Sequence, residues 1–178
     1  MQLIGKGRTA EILTYSDEKV IKLFYDNVPI SDVQLEFHNN KVISEKLNII
    51  PNVYGISEYN GRNGIIFDIV YGNSLLNYFI NDISETENHM NNFCNVHYNI
   101  LSTQVEDIRD YRNDLDFKIR NVSDKYLNSE LKGYILNIVS DLPEANNLCH
   151  GDFHADNVLI NNGCFKVIDW CSEGIFSL

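Results

Sequence analysis

The sequence predicts an α+β fold in which a strand-rich half of the chain precedes a helix-rich half. Three observations carry this reading. Residues 3–70 hold short runs of β-branched and aromatic residues punctuated by glycine, asparagine and proline turns. Beyond Gly72 the character changes, and longer helical stretches follow. Near the end, residues 158–160 and 165–168 form two apolar runs split by Asn161-Asn162-Gly163, which reads as a hairpin.

Taken in order, Leu3-Ile4 leads into a glycine-containing turn, and residues 10–15 follow with partial alternation. After the polar turn Ser16-Asp17-Glu18, the run 19–25 has strand composition, and Pro29 closes it. Ser31 and Gln34 have capping-box spacing and predict a helix to about Leu47. Its apolar stripe includes Val33, Phe37, Ile43 and Leu47, and Glu36 lies on that stripe. A carboxylate facing a core needs a partner, because burying it unpaired is costly. After Pro51, strands are predicted at 53–59 and 64–70, separated by Asn60-Gly61-Arg62-Asn63. Ser84 with Glu87 repeats the capping-box spacing and predicts a helix to about Leu101, with further helices at 114–126 and 129–141. The halves meet near 70–74, so lobes of 1–70 and 71–178 are expected.

At 178 residues with 44% hydrophobic and 22% charged content, the chain has the composition of a globular protein able to bury its own core. Its net charge is −11, from 14 basic and 25 acidic residues. Clustered Lys and Arg are absent, so nucleic acid and anionic membrane are excluded as general partners. A cationic ligand would be attracted, although acidity of this size mainly reports solubility. No apolar run is long enough to span a bilayer, and the first residues lack the pattern of a secretory leader. The four cysteines form no Cys-x-x-Cys pair and have no histidine at zinc spacing, so reduced thiols in a cytoplasmic protein are expected.

The strongest chemical signal is His150-Gly151-Asp152-Phe153-His154-Ala155-Asp156-Asn157, followed by Val167-Ile168-Asp169-Trp170. Phosphoryl transfer from Mg-ATP requires a carboxylate that orients the acceptor hydroxyl, and oxygen ligands for the metal. Asp152 and Asn157 have the Asp-x-x-x-x-Asn spacing of a kinase catalytic loop. A hairpin between Asn157 and Asp169 would fold both oxygen ligands back to one place, leaving Asp152 to take the hydroxyl proton and His150 to brace the loop. The bland alternative, a polar turn with a chance Asp and Asn, does not account for the strand–loop–hairpin context.

His-Gly-Asp-Phe-His-x-x-Asn with Ile-Asp-Trp resembles the aminoglycoside phosphotransferase and choline kinase group, small-molecule phosphotransferases with a protein-kinase-like bilobal fold. His154 stands where protein kinases usually carry a lysine, which favours the small-molecule branch. The resemblance implies a strand-rich N-lobe and a mainly helical C-lobe, Mg²⁺ and ATP as cofactors (GTP being the alternative nucleotide), and a small-molecule hydroxyl as substrate. It implies that Gly5 and Gly7 sit in a phosphate-covering loop, although Ala10 replaces that loop's third glycine and a glycine turn between strands is commonplace. It places Lys22 on the strand from which a lysine reaches the α- and β-phosphates, with Glu36 as its ion-pair partner. Taken alone, Lys22 reads as an exposed strand lysine, and the inward-facing Glu36 reverses that preference. Phe67 would lie at the back of the adenine pocket, with backbone groups of Asp68 and Val70 meeting the base. His97 resembles a histidine of the family but is given no catalytic role. Family members continue after Ile-Asp-Trp into further helices, whereas only residues 171–178 follow here. A C-lobe lacking its last helices is therefore expected, with nucleotide binding better preserved than turnover and with apolar surface that invites self-association. The rival class is a nucleotide-binding pseudoenzyme or interaction module.

Overall fold

The computed structural model describes residues 1–108, 110–142 and 146–170, together with the backbone of 174–176. Five antiparallel strands form the first sheet in the order β1-β2-β3-β5-β4. They are β1 (Leu3–Lys6), β2 (Ala10–Thr14), β3 (Lys19–Phe24), β4 (Val53–Tyr59) and β5 (Arg62–Asp68), with α1 (Ile30–Ser44) between β3 and β4. The second half follows as β6 (Asn73–Ser74), α2 (Leu75–Asn81), α3 (Thr86–Leu101), α4 (Tyr111–Asn121), α5 (Ser129–Ser140), β7 (Asn147–Cys149), β8 (Val158–Asn161), β9 (Cys164–Val167) and β10 (Gly174–Phe176). Two small sheets, β6-β8-β9 and β7-β10, complete it.

Asn-Gly pairs set both hairpins that matter for the site. Asn60-Gly61 (φ 52° and 77°) closes β4 on β5, and Asn162-Gly163 (φ 50° and 77°) closes β8 on β9. Positive φ at both central residues matches the twist of the flanking strands, so these turns fix register. Arg62 and Asn63 thus belong to β5, not to the turn expected from composition.

Helix α1 joins two cores. Val33 packs with Ala10, Phe24, Val53 and Ile65 on the sheet, while Ile43 joins Leu47, Ile50, Leu75, Ile100, Leu148, Val158, Val167 and Trp170 below it. Cross-strand register puts Ile12, Lys22 and Ile65 on one face, together with Val20, Phe67, Ala10 and Phe24. This is the face on which α1 packs. The sheet and helix therefore aim Lys22 toward Glu36.

Several local expectations are corrected. Helix α1 starts at Ile30 with Pro29 at the cap position, and the Ser31 hydroxyl bonds Asp32 Oδ1 at 3.2 Å instead of capping. Proline, already fixed at φ −60°, sets the start. It ends at Ser44, short of Leu47. Ser84 likewise bonds Asp82 Oδ1 at 2.9 Å within a short turn, and α3 begins at Thr86. Helix α4 begins at Tyr111 because the Asp110 carboxylate caps it, accepting from the Arg112 amide at 2.8 Å. Helix α2 has no counterpart in the sequence reading, although Ser74 caps it through the Asn77 amide at 3.3 Å. No described helix is long and apolar enough to cross a membrane.

The connection between the halves passes through Gly72 at φ 132°, where an added Cβ would lie 2.3 Å from the Ile160 carbonyl oxygen. Gly72→Ala is expected to cost about 2–4 kcal/mol from strain plus backbone displacement. By contrast Gly133, inside α5 with nothing within 4 Å of its added Cβ, should gain about 0.5–1 kcal/mol as alanine. Urea unfolding of the two variants checks both signs.

Candidate active site

Lys22 is 9% exposed on β3. Its Nζ lies 2.8 Å from Glu36 Oε1 on α1 and 3.2 Å from Asp169 Oδ1, just beyond β9. One ammonium therefore sits between two carboxylates drawn from distant parts of the chain. Of the two carboxylates, that of Glu36 is nearly buried and that of Asp169 is half-exposed.

The β8–β9 register explains why Asp169 arrives there. Val158 pairs with Val167, and the Ile168 amide donates to the Asn157 carbonyl at 2.9 Å. Asn157 and Asp169 are thereby brought to the same end of the hairpin. Asp169 has φ 61°, a conformation uncommon outside glycine, and such strain persists only where neighbours fix it. Asn157 is buried, and its Nδ2 donates to the Asp152 carbonyl at 3.1 Å, closing the loop between them. Among the described residues no donor reaches Asn157 Oδ1, which could therefore turn to a metal. His154 Nε2 lies 3.1 Å from Asn157 Nδ2 and 3.8 Å from Asp152 Oδ2.

His150 is 2% exposed and packs against Trp170 with ring centroids 4.4 Å apart. Its Nδ1 accepts from the Asp152 amide at 3.3 Å, and its Nε2 donates to the Ile168 carbonyl at 3.0 Å. A neutral ring protonated at Nε2 satisfies both. Burial holds its pKa below the ordinary value, against upward pushes from the Ile168 carbonyl and the Asp169 and Asp152 carboxylates. The unfolded chain therefore takes up a proton near pH 6.5 that folded His150 refuses. Stability is complete above that pH and falls as pH drops below it toward the depressed pKa, by at most about 1.4 kcal/mol per pH unit. Urea unfolding between pH 7.5 and 5.5 should show this slope, and His150→Gln should flatten it.

Asp152 itself is exposed, with both its amide and its carbonyl tied down by His150 and Asn157. The ring of Phe153 stacks on Phe93 at 4.6 Å and on His97 at 4.4 Å, so α3 supports the loop from behind. Burial lowers the pKa of His97. Asn40, four residues after Glu36, also reaches this region. The sequence reading passes over Phe93 and Asn40. The only prior signal for Asn40 was its place, one helical turn beyond Glu36.

The remaining sequence-predicted residues lie on the first sheet or in the loops beside it. Gly5 and Gly7 border the β1–β2 loop, and an added Cβ at either meets nothing closer than 3.5 Å, so the fold itself does not require glycine there. The Gly7 amide is committed to the Ala10 carbonyl at 2.8 Å, and Gly7 O accepts from Tyr25 Oη at 3.3 Å. The Arg8 and Thr9 amides have no carbonyl partner among the described residues. Phe67 shares the sheet face of Lys22 and packs into the upper core. The Asp68 carboxylate is spent on the Asn52 amide (3.1 Å), Asn52 Nδ2 (2.7 Å) and Tyr54 Oη (2.6 Å), the last of which raises the Tyr54 pKa. The Val70 amide, beyond the strand end, finds no carbonyl among the described residues.

Two cavities, of about 320 and 380 Å³, lie away from the Lys22 cluster, beside Arg62 and Asn99 respectively. Among the described residues no three His, Cys, Asp or Glu side chains gather into a metal cage. Asp169 and Asn157 instead offer two oxygens, which fits Mg²⁺, an ion that keeps waters and takes its other ligands from phosphates.

No family model and no curated protein matches the sequence. Solved structures do match. The streptomycin–ATP ternary complex of APH(2″)-IIa superposes with a TM-score of 0.65 at 15% identity, covering 99% of this chain and 67% of that one. The ADP-bound aminoglycoside phosphotransferase APH(2″)-Ib gives 0.64 at 15% identity, with 99% and 67% coverage. A gentamicin complex of APH(2″)-IIa gives 0.66 at 15% identity, with 99% and 66% coverage. The chain thus has the kinase-like α+β fold of these aminoglycoside phosphotransferases and spans about two thirds of their length.

Proposed function

We propose that this chain binds Mg-ATP in the cleft beneath the first sheet and transfers the γ-phosphoryl group to a hydroxyl of a small molecule. The observation that carries the proposal is the bridge from Lys22 to both Glu36 and Asp169. In this reading Glu36 holds the ammonium in place for the α- and β-phosphates. Asp169 and Asn157 hold Mg²⁺, which when bound offsets charge on the phosphates. Asp152 orients the acceptor hydroxyl and takes its proton as the oxygen attacks the γ-phosphorus and the β–γ bridging oxygen departs with ADP. His150 braces the loop. The turn flanked by Gly5 and Gly7 covers the phosphates through the backbone of Arg8 and Thr9. The Asp68 carbonyl and the Val70 amide meet the base, with Phe67 behind it. Little covalent chemistry falls to the protein, so positioning and charge supply the rate.

Neighbouring structures hold ATP, ADP, streptomycin and gentamicin. ATP is therefore the first nucleotide to test and GTP the second, and aminoglycosides head a panel of small alcohols. The acidic chain suits a cationic acceptor. Free thiols at Cys94, Cys149 and Cys164 suit a reducing, cytoplasmic setting. The alternative is a nucleotide-binding module with little turnover, a reading favoured by nucleotide-site residues that lie within a chain two thirds the length of its structural neighbours. The test is Mg-ATP consumption across the panel, set beside nucleotide-induced thermal shift and the Asp152→Asn variant. Turnover that depends on Asp152 supports the enzyme, whereas binding without turnover supports the module. Absence of nucleotide binding defeats both.

A further inference from the structure

We infer that Asn40 is a positioning residue that locks the carboxylates of Glu36 and Asp169 into one arrangement around Lys22, an inference resting on the nucleotide-site reading above. Asn40 lies on α1 and is 3% exposed. Its Nδ2 donates to the Glu36 carbonyl at 2.9 Å and to the Trp170 carbonyl at 2.8 Å. One amide group therefore joins the helical turn bearing Glu36 to the carbonyl of Trp170, the residue after Asp169.

The chemistry of this choice is specific. A buried amide loses its hydration, and an apolar side chain would fill the space without that cost. Asn40 recovers the loss by placing both N–H groups on carbonyls. The adjacent Asn39 shows the contrast, being fully buried with neither Nδ2 nor Oδ1 bonded among the described residues. Three bonds flank Asp169, whose φ is 61°. Asn157 O receives the Ile168 amide, His150 Nε2 donates to the Ile168 carbonyl, and Asn40 Nδ2 donates to the Trp170 carbonyl. The first two restraints come from the loop beneath the nucleotide site. The third comes from the helix that carries Glu36. Helix α1 cannot withdraw from the segment just after Asp169 without breaking this buried bond. The two partners of Lys22 are thus coupled through Asn40 as well as through the lysine.

The test compares Asn40→Asp, which keeps the shape but turns oxygens toward two carbonyls, with Asn40→Leu, which removes both bonds and leaves an apolar filler. Mn²⁺ serves as the metal probe, titrated by electron paramagnetic resonance in the presence of a non-hydrolysable ATP analogue. Both variants should lose about 10- to 100-fold in Mn²⁺ affinity, the range for removing a group that orients a metal ligand. Affinity for the analogue without metal should change by less than about threefold, and Asn39→Leu should match wild type in both, since Asn39 supports neither carboxylate. Mn²⁺ affinity retained by folded Asn40→Leu, or lost equally by Asn39→Leu, overturns the inference. If wild type binds no nucleotide, the site reading fails by itself, and a ligand-free crystal structure of Asn40→Leu then decides the role of Asn40. Loss of the positive φ at Asp169 or of its contact with Lys22 supports the inference, and retention of both overturns it.

Discussion

Asp152→Asn is expected to lower turnover by about 10²- to 10⁴-fold while leaving Mg-ATP affinity within about threefold, the signature of losing a group that accepts a proton in the transition state. The substitution is conservative because both backbone bonds of residue 152 are independent of its side chain, although its carboxylate pushes the His150 pKa up against burial and lies 3.8 Å from His154 Nε2. Its amide is held by His150 Nδ1 at 3.3 Å, its carbonyl by Asn157 Nδ2 at 3.1 Å, and its side chain is 57% exposed. Asparagine keeps the size and both backbone bonds. Single-turnover measurements with the best acceptor of the panel separate the outcomes. A raised KM with unchanged kcat would assign Asp152 to holding the acceptor and leave proton transfer to another group.

Lys22→Met has the second large effect, and it divides between stability and function. Removing the ammonium takes its positive charge away from Glu36, whose side chain is only 11% exposed, and from Asp169. Breaking a buried pair by removing one partner costs about 3–5 kcal/mol, because the remaining charge stays desolvated. Asp169 is half exposed, so the lower end of that range is expected. On the proposed function nucleotide affinity should fall as well, since the cation assigned to the phosphates is gone. The double variant Lys22→Met with Glu36→Gln should recover much of the stability but none of the nucleotide affinity. An unchanged melting temperature in Lys22→Met would mean that the bridge does not persist in solution. Recovery of nucleotide binding in the double variant would mean that the lysine acts only on the fold.

The fold class was legible in the sequence, and the residues of the proposed site were conspicuous in it, for a physical reason. Asp152, Asn157 and Asp169 are separated by intervals set by one loop and one hairpin, so the convergence proposed for them depends on local geometry and on Asn162-Gly163. Strand β3 and helix α1 were legible because β-branched residues and an apolar stripe mark them, and Glu36 was conspicuous as a carboxylate on that stripe. What escaped depends on long-range pairing. Strand β7 is three residues long and exists because β10 lies beside it, and β6 exists because β8 does. The spacings at Ser31 and Ser84 suggested capping boxes, yet Pro29 and a preceding turn decided where those helices begin. Asn40 carried no signal beyond its place one turn after Glu36, since the carbonyl that gives it meaning belongs to Trp170, 130 residues away. The bracing role expected for His150 became specific only when its two ring nitrogens were matched to the Asp152 amide and the Ile168 carbonyl.

The most direct test of the nucleotide-site account is a crystal structure with Mn²⁺ and a non-hydrolysable ATP analogue, read through the anomalous signal of the metal. The account predicts Mn²⁺ bonded to oxygens of Asp169 and Asn157, with the nucleotide phosphates beside Lys22. A nucleotide seated away from Lys22, or a metal bound without Asp169, would contradict it.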